Sequence, residues 1–368
     1  ILYHDSNSDT IIENSTFENV TSSTPSIFLN NNIIREATKP SLTIRNCKFK
    51  NFKTNISNFI HTNGGAVSFI DSQLENIEAI NHKTELEFCD RFPYNCAIFG
   101  SLENNSGINF VNTVLKNITG YVGFSSGFNG KLFVDNCFFQ NNQLKYGHIY
   151  ISDNKRSYGV YNITNSVFDN NISDKGTIVH VYKNLYSTFS IDIDNTIFKN
   201  NHANDHGGVM YSSSKFNNNM IKINDCQFFN NSAGQSGYIL MSLNKNSIPL
   251  FIYKNEELLN EFLFYLNDTK SFTSNPSYIA CDPRKKYFSI NSGITPFETI
   301  NCNIYDDYGN EIKLDSNIDD YSLNDLLYFS VNIYDENGIQ SKTAKIYGSH
   351  NGYCWSNTCY IGNMKGKI

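Results

Sequence analysis

Residues 190–212 read SIDIDNTIFKNNHANDHGGVMYS. Apolar and polar residues alternate over 191–194, as in a half-buried strand. Asn195-Thr196 breaks the alternation, Ile197-Phe198-Lys199 resumes it, and Asn200-Asn201 breaks it again. A Gly pair at 207–208 then precedes another short apolar run. The order is strand, corner, strand, Gly corner, strand.

This phrase recurs. Eight copies run through the first two thirds of the chain, and the last four are about 30 residues apart. The large apolar position is Phe17, Phe49, Leu74, Leu115, Phe139, Phe168, Phe198 and Phe228. Two residues later stands Asn19, Asn51, Asn76, Asn117, Asn141, Asn170, Asn200 and Asn230. Asn or Asp always precedes the large residue by three positions, and Ser, Thr or Cys follows that Asn or Asp. A repeat of this kind reads as a parallel β-helix of about eight or more turns, each stacked about 4.8 Å on the last. Equivalent residues would then form ladders. The eight Asn are expected to point inward and to hydrogen-bond to one another, with the Phe rings stacked beside them.

Phe198-Lys199-Asn200-Asn201 followed by Gly207-Gly208-Val209-Met210 resembles the repeats of the polymorphic outer-membrane protein family. The resemblance covers roughly residues 10–245. It implies a right-handed β-helix displayed outside the cell and used for adhesion or assembly. The Asn-rich copies are also similar to anaerobic gut-fungal scaffoldins, the non-catalytic backbones of cellulosomes. On that resemblance the chain would be one cohesin-like unit of a longer tandem protein, receiving the dockerin modules of secreted enzymes.

The repeat fades near residue 244, which divides the chain into a β-helix (1–245), a capping or linker segment (246–276) and a further domain (277–368). In the last part NIYDDYGNEI (303–312) and NIYDENGIQS (332–341) are near copies, each a strand running into an Asp/Asn/Gly turn. Strands of this style resemble a small immunoglobulin-like β-sandwich. Asp306, Asp307, Asp335 and Glu336 read as turn formers, with Ca²⁺ ligation the alternative.

Composition narrows the function. The chain has 368 residues, net charge −6, 17% charged residues and 56 Asn. An acidic balance argues against nucleic acid as partner. Of nine Cys, Cys47, Cys137 and Cys226 take the small corner position three turns apart, beyond disulfide reach, so they are expected to be free and buried. The other six are expected to pair as Cys89–Cys96, Cys281–Cys302 and Cys354–Cys359, which implies an oxidising compartment outside the cell or at its surface. Nine N-x-S/T sequons agree with that: Asn14, Asn19, Asn55, Asn104, Asn117, Asn162, Asn171, Asn230 and Asn267. Those at Asn19, Asn117 and Asn230 would be blocked if the ladder is buried.

Catalysis finds little support. Asp192 and Asp194 share a strand, but the turn above offers Lys222 and Asn224 and the turn below Asn162 and Thr164, so no carboxylate pair for a lyase or glycosidase forms. No His cluster has metal-ligand spacing, and no catalytic residue, metal or cofactor is expected. Binding fares better. Aligning the strands on Gly147, Gly176, Gly208 and Gly237 points Ile149, Ile178, Met210 and Ile239 inward. It points His148, Tyr150, Val179, Tyr211, Tyr238 and Leu240 outward as an apolar, partly aromatic strip. With Trp355 in CWSNTC, these are the candidate binding residues. The partner would be another protein or a surface glycan. The reading is a non-catalytic extracellular binding or assembly module. An adhesin and a polysaccharide lyase or hydrolase are the alternatives.

Overall fold

The computed structural model describes residues 2–4, 9–22, 26–30, 40–55, 58–80, 83–101, 105–127, 130–152, 158–182, 189–215, 217–281, 300–312, 328–334, 337–348, 350–353, 358–361 and 364–367. Most of them are in strands. Three long sheets are parallel throughout: sheet I from Leu2–His4 to Phe272–Ser274, sheet II from Thr10–Glu13 to Leu250–Ile252, and sheet III from Thr16–Ser22 to Gln227–Phe229 and Ser232–Ala233. The chain visits II, III and I in rotation, and each strand pairs with its equivalent one pass later. Thus Ser190–Asp194 lies between Val160–Thr164 and Ile221–Asn224, with Ile163, Ile193 and Ile223 in one register.

Each corner has a local cause. Between sheets II and III stands an Asn or Asp with φ of 44–51°, from Asn14 to Asp225. Asn and Asp tolerate this left-handed conformation better than other non-glycine residues. The following Ser, Thr or Cys turns inward: Thr113 and Thr196 are fully buried, and the Thr196 hydroxyl donates to Asp194 O at 2.9 Å. In four successive passes the corner leading to sheet I has a left-handed glycine, Gly147, Gly176, Gly207 or Gly237, and a Cβ at Gly207 (φ 70°) would collide with Met210 O.

The interior is apolar. Phe rings at equivalent positions stack at 4.4 Å (Phe139–Phe168), 5.6 Å (Phe168–Phe198) and 5.3 Å (Phe198–Phe228). At the far end the helix Glu256–Asn267 closes the stack. Asn255 caps it, its Oδ1 accepting from Glu257 N at 2.8 Å, and buried Phe262 lies 4.6 Å from the Phe251 ring.

The expected inward ladder is corrected here. Asn19, Asn51, Asn117, Asn141, Asn170, Asn200 and Asn230 are exposed and Asn76 is half-buried. All eight have φ of 49–59°. They do form cross-pass bonds, such as Asn170 Nδ2 to Asn141 Oδ1 at 2.7 Å and Asn117 Nδ2 to Asn76 Oδ1 at 3.0 Å, but on the outside. The physical reason is parity. Simple alternation from Phe198 would send Asn200 inward, but a left-handed residue turns the chain, so the next side chain enters the core. The buried ladder is therefore Asn142, Asn171, Asn201 and Asn231. Asn201 Nδ2 donates to Phe168 O and to Asn231 Oδ1, both at 3.0 Å, while its Oδ1 accepts from Asn171 N at 3.0 Å. Before Asn142 the same position holds Phe52, Ile77 and Ile118, and there sheet III runs through as one long strand. From Asn142 onward it splits in two, because a side-chain oxygen takes over the backbone N–H that strand pairing would have used.

The chain forms two compact units, Ile1–Phe272 and Thr273–Ile368. In the second unit the described strands are antiparallel: Pro276–Cys281, Ile300–Asp306 and Thr358–Ile361 form one sheet, with two further strand pairs. Both near-copy turns close as hairpins, with bridges Tyr305–Glu311 and Tyr334–Gln340 around Gly309 (φ 84°) and Gly338 (φ 75°). Asp306 is buried and accepts from Ser274 N, Tyr308 N, Asn310 N and Asn310 Nδ2, as a turn former does. Asp335 and Glu336 lie outside the described residues.

Cys89–Cys96 and Cys281–Cys302 are disulfide-bonded, while Cys47, Cys137 and Cys226 are free and buried. Cys354 and the side chain of Cys359 lie outside the described residues. Burial pushes the Cys137 and Cys226 thiols up to about 12. Cys47, Cys137 and Cys226 are therefore expected to resist iodoacetamide in the native protein and to react fully once denatured. Peptide mapping checks this, and native labelling at any of the three would contradict their placement.

Candidate functional site

The outer face of sheet I carries the one aromatic column among the described residues that combines rings with cations. Its register is Tyr150, His180, Tyr211 and Met241. His180 lies 5.2 Å from the Tyr150 ring and 5.0 Å from the Tyr211 ring. Tyr146 joins at the neighbouring corner, 5.4 Å from Tyr150 and 6.1 Å from Tyr121. Lys145 Nζ sits 5.4 Å from the centroids of both Tyr121 and Tyr146, and Lys175 Nζ 5.4 Å from that of Tyr211.

A stapled insertion covers the lower half of the column. Elsewhere the corner from sheet III to sheet I is short: Tyr121 alone joins Val114–Gly120 to Val122–Ser126. In the preceding pass the same corner holds the helix Lys83–Arg91, the turn Pro93–Cys96 and the Cys89–Cys96 disulfide. Both sulfurs are buried in one cluster with Ala97, Tyr121, Val122 and Tyr150, against which Tyr146 and Tyr182 pack. Asp90 fastens the insertion: its carboxylate pairs with Lys145 Nζ and accepts the Tyr146 hydroxyl at 3.1 Å.

The electrostatics suit binding rather than proton transfer. Burial, helped by the charges of Asp90 and Asp174, pushes the Tyr121 hydroxyl up to about 12. Burial and the neighbouring Asp90 carboxylate raise Tyr146 as well. Burial, and then the Lys175 charge, lowers His180 to about 3, and its Nδ1 is bonded to Lys175 O at 3.1 Å. Tyr121, Tyr150 and His180 are buried and back the column, so what it presents for stacking and hydrogen bonding is the half-buried Tyr146, Tyr211, Lys145 and Lys175.

Of the residues read from the sequence, Tyr150 and Tyr211 stand in this column and Tyr238 is half-buried. Three are corrected. Val179 and Leu240 pair with Ile149 and Met210 and belong to the interior. Three residues separate Gly176, Gly207 and Gly237 from their inward partners, whereas two separate Gly147 from Ile149, and a one-residue slip exchanges faces. His148 is also a core residue, with its ring against Phe124, Phe139 and Phe168. Trp355 lies outside the described residues. Sequence reasoning missed His180, Lys145, Lys175 and Asp90. The signal available was CDRFPYNC, placed at the corner that Tyr121 fills one pass later.

No second acid joins Asp192, which lies in register between Asn162 and Lys222 and accepts from Asn224 Nδ2 at 3.0 Å. His202 Nδ1 and His206 Nδ1 meet Ser232 Oγ at 2.8 Å and Ser236 Oγ at 2.9 Å, each a rung between adjacent passes. Among the described residues no three His, Cys, Asp or Glu gather as a metal site, and no helix is long and apolar enough to cross a membrane. Comparison with protein-family models, with curated proteins and with solved structures returns no match.

Proposed function

We propose that the first unit is a right-handed parallel β-helix and that the chain works outside the cell or at its surface as a non-catalytic binding or assembly module. The outer face of sheet I is its recognition face. The observation that carries this reading is the Tyr150–His180–Tyr211 column, flanked by Lys145 and Lys175 and partly roofed by a disulfide-stapled insertion. Three parallel sheets visited in rotation support the β-helix, and two disulfides support the oxidising compartment. The partner is another protein, with the dockerin modules of secreted enzymes as the leading class. The antiparallel strands of 277–368 support a small β-sandwich there.

The test is a column of the immobilised chain, exposed to secreted proteins of the source cells and, separately, to plant and host glycans. Tyr211→Ala and Lys175→Ala alter the half-buried end of the column, outside the interior stack. Selective capture of enzymes sharing one small module, reduced at least tenfold by either variant, is the expected result. Capture that both variants leave intact would place the interface elsewhere. Glycan retention in place of protein would favour the adhesin, and steady release of reducing sugar would favour the lyase or hydrolase.

A further inference from the structure

The nine sequons fall into distinct physical classes once their side chains are placed. Asn171 is 1% exposed, and both hydrogens of its Nδ2 are committed, to Phe139 O at 3.2 Å and to Asn201 Oδ1 at 2.9 Å. A sugar on that nitrogen would replace one of these hydrogens and would have to occupy the core, so a chain modified there cannot close its buried ladder. Asn162 is half-buried. Asn117 is exposed but spends one amide hydrogen on Asn76 Oδ1. The side chain of Asn55 and all of Asn104 lie outside the described residues.

Four sequons are different. Asn14, Asn19, Asn230 and Asn267 are exposed. In the outer ladders an Nδ2 commonly donates to the pass before it, as Asn46 does to Asn14 and Asn51 to Asn19, but Asn230 makes no such bond to the described residues. The Asn14 and Asn19 side chains accept these bonds, and their amides donate to none of the described residues. Asn230 follows Gln227–Phe229, the end strand of sheet III, and Asn267 ends the closing helix. None of the described sequons lies on sheet I or on the insertion 83–96.

We propose that the protein carries N-linked glycans at Asn14, Asn19, Asn230 and Asn267, and none at Asn171 in its folded form. The glycans leave the aromatic face of sheet I bare. The proposal rests on the extracellular reading given above.

The test is secretion from a eukaryotic host. The secreted protein is checked for the Cys89–Cys96 and Cys281–Cys302 disulfides by non-reducing peptide mapping. It is then treated with an amide-cleaving glycosidase in isotope-labelled water, so that each formerly glycosylated Asn becomes a labelled Asp. Label at Asn14, Asn19, Asn230 and Asn267 with Asn171 unlabelled is the expected result. Label at Asn171 in folded, secreted protein overturns the proposal, as does a secreted, disulfide-bonded chain bare at these four positions. A chain retained in the cell with reduced cysteines overturns the extracellular reading and the proposal with it, so the two failures are told apart by the disulfides. Ser173→Ala removes the Asn171 sequon while keeping the ladder Asn, and the Ser173 hydroxyl makes no hydrogen bond. Chains glycosylated at Asn171 are expected only in the retained fraction, and Ser173→Ala is expected to abolish them. Their presence among secreted wild-type molecules would count against the proposal.

Discussion

Replacing Asn201 with Leu is expected to lower unfolding free energy by about 3–6 kcal/mol, from the cost of stranding two or three buried polar groups. The groups are known. Asn171 N and Asn171 Nδ2 both donate to Asn201 Oδ1, at 3.0 and 2.9 Å, and Phe168 O accepts from Asn201 Nδ2 at 3.0 Å. Leu has the volume but neither the donor nor the acceptor, and Asn201 is fully buried. The adjacent Asn170→Leu is the control. Its side chain is exposed and gives up a single bond to Asn141. Its main cost is a branched residue at φ 55°, about 1–2 kcal/mol. Urea unfolding of both variants separates them. Equal losses would mean that the buried ladder carries no more than the outer one.

The second large effect is on acid stability. His148 and His180 are buried, and burial lowers both to about 3. An unfolded chain would hold its histidine protons below about pH 6.5. Between these values the unfolded state binds more protons than the folded one, so stability is full above about pH 6.5 and is lost as the pH falls. Each histidine contributes about 1.4 kcal/mol per pH unit, so acidification to about pH 5 is expected to cost about 4 kcal/mol from the pair. His148 Nε2 is buried without a hydrogen-bond partner among the described residues, and the ring sits among three Phe rings. His148→Phe should therefore be tolerated and should remove about half of the slope. Thermal melts of both proteins across this range check it, and an unchanged slope would remove His148 from the account.

The two histidines also show how far the sequence can be read. The repeat, its period and its corners were legible because each corner needs a special residue: an Asn or Asp that accepts a positive φ, a small residue after it, a glycine before sheet I. The Phe stack follows from the same spacing. The direction of His148 and the existence of the His180 column were not legible, because both depend on the number of residues between a glycine and its strand. That number differs between the Gly147 and Gly176 passes. What covers the aromatic face was equally hidden. CDRFPYNC announces a stapled loop, but only the fold brings Asp90 against Lys145 and Tyr146.

The amino-acid sequence by itself therefore determined a stacked, corner-punctuated β architecture, the positions of its bends, the free buried thiols and the stapled insertion. Tertiary structure alone decided which Asn of each Asn-Asn pair enters the core and which side chains of sheet I face outward. The physical reason is the same in both cases. Side-chain direction in a strand alternates, and a single left-handed residue or one extra residue at a corner reverses it. The sequence pattern marks where such a residue stands, and only the folded backbone records which way the chain leaves it.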